Sequence, residues 1–178
     1  CPLAADTKAV LVAGGAGYIG SHASKALKQA GYEVVVYDSL IAGHREAVRY
    51  GPFVQGDITD LAAVRQALRE FNIWGVMHFA AFLDVGESVR EPAKYYRNNV
   101  SGALTMLEAM ALEGVKHFVF SSTCATYGEP VETPISESHP QNPINPYGET
   151  KLVIERALKS LDLARGFRHV VFRYFNAA

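Results

Sequence analysis

Short runs dominated by apolar residues recur along the chain, separated by longer segments of mixed character. The runs at residues 9–13 (AVLVA) and 33–37 (EVVVY) are typical of strands buried inside a parallel sheet. Further strands are predicted at residues 52–55, 74–79, 116–121 and 169–175. The segments between the runs predict helices over residues 18–30, 61–71, 92–113 and 146–165.

Strands that alternate with helices of this length predict βαβ units with right-handed crossovers. The expected fold class is therefore α/β, a doubly wound parallel sheet of the Rossmann type, with residues 1–178 forming one domain. Five of the eight prolines fall between Pro130 and Pro146, which predicts a loop there. A loop of this length in a compact domain is often functional.

Charge and composition narrow the class of partner. The chain has 17 Lys and Arg against 18 Asp and Glu and no basic block, so we expect neither nucleic acid nor a membrane surface as partner. It has no apolar run near the roughly 20 residues of a membrane span, and no secretory signal at its start, so we expect a cytoplasmic location. Cys1 and Cys124 are interpreted as free thiols, and no metal site is expected because their spacing to the six histidines fits none.

A glycine pattern follows the first predicted strand directly. Gly14, Gly17 and Gly20 form GxxGxxG at the head of the first predicted helix. Glycine there allows a tight turn and a close approach to a pyrophosphate, which the helix N-terminus would bind. The alternative is an ordinary strand-to-helix turn.

Two acidic residues follow the next strands. Asp38 ends the second strand, where a carboxylate can accept hydrogen bonds from ribose hydroxyls and would repel a 2′-phosphate. This favours NAD over NADP, although Arg45 keeps the question open. Asp57, after the third strand, is a candidate contact to the adenine, and a turn or helix cap is nearly as good an interpretation.

Tyr147 and Lys151 are four residues apart on a predicted helix and therefore share one face. An ammonium near a phenol favours the phenolate. A phenol of pKa about 10 needs such help to accept a proton near neutrality. Thr123 is expected at the carboxyl end of its strand, where open α/β sheets bind ligands. Its hydroxyl is a candidate to hold a substrate oxygen beside Tyr147, and the alternative is a threonine that only ends a strand.

From about Val10 to Ala178 these motifs resemble the extended short-chain dehydrogenase/reductase family, and within it the UDP-glucose 4-epimerases. The resemblance is carried by GGAGYIGSH, GDI, HFAA with VGESV, YYRNNVSG, FSSTCATYGEP, PINPYGETK and RYFNAA.

The resemblance implies bound NAD and a UDP-sugar substrate. It implies that Tyr147 or Thr123 takes the proton from the sugar 4-hydroxyl, that Lys151 also binds the nicotinamide ribose, and that Asn176 faces the substrate phosphates. Asn99 has two equally open interpretations. Its amide either contacts the nicotinamide or substrate directly, or is purely structural. The other residues expected at the cofactor are Tyr18, Ile19, Ser39, Ile58, Phe79, Ala80, Ala81 and Tyr174.

The chain departs from the family pattern in several places. Related 4,6-dehydratases carry Asp and Glu after the active-site threonine, whereas Cys124 and Ala125 stand here, which disfavours dehydration. Ala13 and Ser39 replace a usual Thr and Asn, and Leu83 stands where some epimerases have a cofactor-binding lysine.

The family's chains continue past RYFN into a substrate domain, so we expect this chain to lack that C-terminal domain and to have little activity alone. The alternatives are an NAD-binding module without turnover, a UDP-pentose 4-epimerase, and a reductase or sensor with a dissociable cofactor. Family members commonly dimerise through the helices predicted at residues 92–113 and 146–165, so a homodimer is expected.

Overall fold

A computed structural model describes residues 7–177 of the 178-residue chain. It contains one six-stranded sheet in the order β3-β2-β1-β4-β5-β6, and every neighbouring pair is parallel. The strands are β1 (Ala9–Ala13), β2 (Glu33–Asp38), β3 (Phe53–Gln55), β4 (Ile73–His78), β5 (His117–Thr123) and β6 (Arg168–Tyr174). The predicted doubly wound parallel sheet of six strands is confirmed.

Helices pack on both faces of this sheet. The α-helices are α1 (Tyr18–Gln29), α2 (Leu61–Glu70), α3 (Val85–Arg90), α4 (Pro92–Tyr95), α5 (Gly102–Leu112) and α6 (Pro146–Arg165). A π-helical segment, Tyr96–Ser101, joins α4 to α5, and short 3₁₀ turns lie at Arg45–Ala47 and Cys124–Thr126. Residues of α2, α5 and α6 share one large apolar core, whereas α1 packs on the opposite face over the valines of β1 and β2.

The longest helix, α6, begins and ends at the predicted residues. The side chain of Asn145 accepts a hydrogen bond from the Gly148 N–H at 2.8 Å, and Pro146 occupies the first helical position, where its missing N–H costs nothing. Gly166 ends the helix with φ 65°, a left-handed conformation that glycine adopts without strain. The long segment between the 3₁₀ turn and α6 contains no helix or strand, as its prolines predicted.

Two elements differ from the prediction. The helix expected over residues 92–113 is interrupted by the π-helical segment, within which Asn99 directs its side chain to the backbone of Phe82. Helix α3 was not predicted, although Asp84 caps it by accepting a hydrogen bond from the Glu87 N–H. Among residues 7–177 no helix is both long enough and apolar enough to cross a bilayer.

Candidate functional site

A groove of about 750 Å³ runs along the carboxyl edge of the sheet. It passes over the ends of β1 and β4, where the strand order reverses, which is the position at which open α/β sheets bind ligands. All the predicted site residues except Asn99 line it. These residues are Gly14, Gly17, Tyr18, Ile19, Gly20, Asp38, Ser39, Asp57, Ile58, Phe79, Ala80, Ala81, Thr123, Tyr147, Lys151, Tyr174 and Asn176.

Two of the three motif glycines are required by protein packing. Gly14 has φ 78°, and a Cβ built there would lie 2.5 Å from the backbone nitrogen of Ala80. A Cβ on Gly20 would lie 2.2 Å from the carbonyl oxygen of Gly14. These two glycines therefore let the turn after β1 close against α1 and the segment after β4.

Gly17 is required by neither packing nor backbone strain. A Cβ there would meet only the Gly14 carbonyl oxygen, at an ordinary 3.4 Å, and its φ is −84°. It caps α1 and lines the groove, so the free N–H groups of the first helical turn face the groove together with the positive end of the helix dipole. This arrangement fits a bound pyrophosphate.

The Asp38 carboxylate is held by backbone on both oxygens. One oxygen accepts from the Ala16 N–H at 2.9 Å and the other from the Leu40 N–H at 2.8 Å. The residue is buried, ends β2 as predicted and lines the groove. Each oxygen keeps a second lone pair, so a fixed acceptor remains for a ligand hydroxyl.

Asp57 both closes a turn and lines the groove. Its Oδ1 accepts from the N–H of Thr59 at 2.8 Å and from the Thr59 hydroxyl at 2.7 Å. Its backbone carbonyl accepts from the Tyr37 hydroxyl at 2.9 Å. The capping interpretation of Asp57 is therefore correct, and its contact to an adenine stays a prediction.

Lys151 lies one turn after Tyr147 on α6, and both line the other end of the groove. Its Nζ donates to the Ser121 carbonyl at 2.8 Å and lies 6.0 Å from the centre of the Tyr147 ring. Burial lowers the pKa of Lys151 to about 8. Thr123 ends β5 as predicted, and its Oγ1 accepts from the Ala125 N–H at 3.1 Å.

Burial works against the expected help of the Lys151 ammonium to a Tyr147 phenolate, whose role in proton transfer stays a prediction. Burial raises the pKa of Tyr147 above its ordinary value, a hydrogen bond with Thr123 opposes that rise, and the neighbouring Cys124 adds to it. The desolvation of a phenolate outweighs the ammonium of Lys151, which is turned toward the Ser121 carbonyl.

Asn99 does not reach the groove. It is buried in the π-helical segment, where its Oδ1 accepts from the Phe82 N–H at 2.9 Å and its Nδ2 donates to the Phe82 carbonyl at 3.0 Å. Both ends of the amide are thus used to fix the segment after β4. The structural interpretation of Asn99 fits these contacts, and its neighbour Asn98 lines the groove instead.

Sequence reasoning assigned no role to Ser88, which is fully buried in α3. Its hydroxyl accepts from the Tyr147 N–H at 3.2 Å and donates to the Val85 carbonyl at 2.7 Å, so it ties α3 to the first turn of α6. The Asp84-x-x-Glu87 cap was the available signal for α3, but no local pattern indicated its contact with Tyr147. Unpredicted groove residues include Ile41, Ala42, Gly43, Gly56, Phe82, Val85, Ser122 and Phe175.

Within residues 7–177 no three His, Cys, Asp or Glu side chains come together as a metal site would require. Cys124 is a free thiol at the groove, and Cys1 lies outside the described residues.

Known proteins with similar sequences and structures agree on one family. Residues 10–178 match the NAD dependent epimerase/dehydratase family. The chain is 53% identical over 169 residues to the UDP-glucose 4-epimerase of Rhizobium leguminosarum bv. trifolii, covering 95% of this chain and 52% of that protein. It is 52% identical over 170 residues to the UDP-glucose 4-epimerase of Lacticaseibacillus casei, covering 95% of this chain and 51% of that protein.

Solved structures give the same result. The UDP-glucose 4-epimerase from Brucella ovis in complex with NAD superposes with a TM-score of 0.95 at 52% identity, over 97% of this chain and 53% of that one. The UDP-glucose 4-epimerase from Thermus thermophilus in complex with NAD gives 0.90 at 40% identity, over 93% and 54%. This chain thus spans about half the length of these relatives. The chain belongs to the NAD dependent epimerase/dehydratase family.

Proposed function

We propose that this chain forms the cofactor-binding and proton-transfer part of an NAD-dependent UDP-hexose 4-epimerase acting on UDP-glucose and UDP-galactose, with little turnover by itself. The observation that carries the proposal is a single groove joining the glycine loop and Asp38 to Thr123, Tyr147 and Lys151. Relatives named UDP-glucose 4-epimerase and crystallised with NAD support it.

The groove over the ends of β1 and β4 would hold the cofactor. The N-terminus of α1 at Gly17 would bind its pyrophosphate, and Asp38 would accept hydrogen bonds from the adenosine ribose. Tyr18, Ile19, Ser39, Asp57, Ile58, Phe79, Ala80 and Ala81 complete the adenosine and pyrophosphate part of the groove, and Tyr174 flanks the nicotinamide part. When bound, NAD⁺ supplies reversible hydride acceptance at C4 of the sugar.

The chain's own residues move the proton. Tyr147, or Thr123 beside it, accepts the proton of the sugar 4-hydroxyl and returns it after the transient 4-keto sugar has turned in the site. Lys151 binds the nicotinamide ribose, and Asn176 faces the substrate phosphates. Because burial raises the pKa of Tyr147, we expect this pKa to fall when positive charge is bound beside it.

Two features bear on the choice of reaction and substrate. Cys124 and Ala125 at the groove provide no carboxyl group for elimination of water, which favours epimerisation over dehydration. A UDP-pentose remains an alternative substrate, since the Stenotrophomonas relative at 40% identity was crystallised with NAD and a formylated UDP-arabinopyranose. The second candidate function is an NAD-binding module without turnover, which the same groove at the glycine loop and Asp38 would also support.

We also propose a homodimer in which the α4–α5 segment and α6 pack against their copies. Four large apolar side chains on these helices are exposed: Tyr96, Leu104, Leu112 and Leu163. Sedimentation velocity tests this, and a concentration-independent monomer would contradict it. A cytoplasmic location stays a prediction.

Calorimetric titration with NAD⁺ tests the cofactor site. Gly17→Val keeps an allowed backbone and projects a side chain toward the pyrophosphate path, so we expect at least a tenfold weaker affinity, with only the stability loss of a poorer helix cap. The matched control is Ala26→Val on the exposed surface of α1. Equal NAD affinity in the wild type and Gly17→Val would contradict the placement.

Interconversion of UDP-galactose and UDP-glucose tests the reaction. We expect any turnover, in this chain or in a longer protein that contains it, to be lost in Tyr147→Phe while NAD binding persists. Tight NAD binding without interconversion in either protein would favour the binding module.

A further inference from the structure

A buried carboxylate lies behind the proton-transfer residues. Glu155 is 3% exposed and follows Tyr147 and Lys151 at four-residue intervals on the same face of α6. It accepts hydrogen bonds from the Ser122 hydroxyl, from Gln141 Nε2 at 3.0 Å and from an Arg173 terminal nitrogen at 2.8 Å. One side chain of α6 thereby joins β5, β6 and the proline-rich loop.

Arg173 extends this set of contacts on the other side. Besides Glu155, its guanidinium donates to the Tyr127 hydroxyl at 2.8 Å and to the Glu137 carbonyl at 3.1 Å. Burial would raise the pKa of Glu155, but hydrogen bonds from Arg173, Ser122 and Gln141 together lower it. The pair is therefore a fully ionised salt bridge near neutral pH.

The register of β5 and β6 connects this salt bridge to the groove. Ser122 is paired with Arg173, and both side chains bind Glu155. The next pair in the same register is Thr123 and Tyr174, and both line the groove. Any shift of the Ser122–Arg173 pair relative to α6 must move Thr123 relative to Tyr147.

Stability alone does not explain this arrangement. A buried ion pair can often be replaced by apolar residues of similar size at no cost in stability. The pKa of Tyr147 is raised by burial, lowered by a hydrogen bond with Thr123 and raised by the neighbouring Cys124. What the pair supplies is a defined geometry between α6 and the ends of β5 and β6.

We propose that Glu155 and Arg173 are positioning residues that fix Thr123 and Tyr174 relative to Tyr147. The assignment rests on the proposed function only in that it makes Tyr147 the proton-transfer group. The geometric claim concerns the chain itself, with or without cofactor.

The test is the titration of Tyr147 followed by NMR of tyrosine labelled with ¹³C at Cζ, with Tyr147→Phe identifying its signal. In Glu155→Leu/Arg173→Met, loss of the aligned Thr123 hydroxyl should raise the pKa of Tyr147 by about 0.5–1 unit, the effect of one hydrogen bond. Thr123→Val should cause the same rise. Adding Thr123→Val to the double variant should not raise the Tyr147 pKa further, because both changes remove the same interaction between Thr123 and Tyr147.

The matched control replaces another ion pair in the same way. Arg65→Met/Glu113→Leu removes the bridge between α2 and the residue that follows α5. Neither Arg65 nor Glu113 lines the groove, so this variant should leave the Tyr147 titration unchanged. Ser122→Ala is a milder variant that removes one hydrogen bond and should cause a smaller rise in the same direction. It serves if the double variant fails to fold.

A wild-type titration of Tyr147 in the folded double variant, or in Ser122→Ala if only that folds, would overturn the proposal. A rise of equal size in the Arg65/Glu113 control would also overturn it, because the effect would then be general. Failure of the proposed function would show in a separate measurement: the wild-type chain would bind no NAD. The Tyr147 pKa would still differ between the wild type and these variants.

Discussion

The glycine-loop end of the groove (residues 14–20 and Asp38) is built largely from backbone, whereas the tyrosine end (Thr123, Tyr147 and Lys151) is built from buried and half-buried side chains. At the first end, N–H groups hold both oxygens of Asp38, and glycine packing shapes the turn. At the second end, Ser88, Ser121 and the Glu155–Arg173 pair support the helix that carries the tyrosine.

The difference has a consequence for substitution. A backbone site fails when a side chain is added where there is no room for a Cβ, as at Gly14 and Gly20. A side-chain site fails when one member is removed, because its partners are left buried without hydrogen bonds.

The largest effect is expected at the tyrosine end, in Glu155→Ala. Removing the carboxylate leaves the guanidinium of Arg173 and the hydroxyl of Ser122 without their main partner, so we expect the free energy of unfolding to fall by about 3–5 kcal/mol. Urea unfolding at neutral pH measures it. Glu113→Ala, which breaks a more exposed pair, should cost less than about 1 kcal/mol. Equal losses would remove the distinction between the two pairs.

The glycine-loop end is tested by Gly20→Ala. The added methyl group would lie 2.2 Å from the Gly14 carbonyl oxygen, and we expect a loss of about 1–3 kcal/mol from overpacking. Gly17→Ala, where a Cβ fits, should stay within about 0.5 kcal/mol of wild type. If the two alanine variants unfold at the same urea concentration, packing does not distinguish these glycines.

The same contrast explains what the sequence predicted. Apolar runs indicated all six strands, and glycine spacing located the turn after β1, because both are local patterns. Positions at strand ends or on one helix face also predicted which polar side chains line the groove, namely Asp38, Thr123, Tyr147 and Lys151. Such rules depend on the backbone, which short-range patterns describe well.

Long-range side-chain contacts were out of reach. Ser88 meets Tyr147 across 59 residues of sequence, and Ser122 meets Glu155 across 33. Periodicity shows that a residue is buried but not which partner it meets. The raised pKa of Tyr147 could not be predicted for the same reason, since spacing placed Lys151 nearby but could not show its Nζ bonded to the Ser121 carbonyl.

His78, at the end of β4 between the two ends, should make stability depend on pH. Burial and the nearby Lys151 lower its pKa to about 3, against about 6.5 in the unfolded chain. The unfolded chain therefore binds an extra proton between these values, so stability is full above pH 6.5 and falls on acidification by about 1.4 kcal/mol per pH unit. His78→Phe, which keeps an aromatic ring beside Phe118 and Phe120, should remove this slope in urea unfolding at several pH values.

The exposed His22 provides the control, since His22→Asn should keep the wild-type slope. An unchanged slope in His78→Phe would mean that other groups cause the acid sensitivity.

The smallest effect is expected at the cap of α6, which holds Tyr147 in its first turn. Asn145→Ala removes the acceptor for the Gly148 N–H and should cost about 1 kcal/mol. Asn145→Asp keeps an acceptor and adds a negative charge at the helix N-terminus, so it should match or exceed wild-type stability. Because Ser88 also binds the Tyr147 N–H, the first turn keeps one of its two supports in Asn145→Ala, and the tyrosine should stay in the groove. Urea unfolding together with the ¹³C titration of Tyr147 checks both points, and a large shift of the tyrosine signal would show that the cap, rather than Ser88, positions this residue.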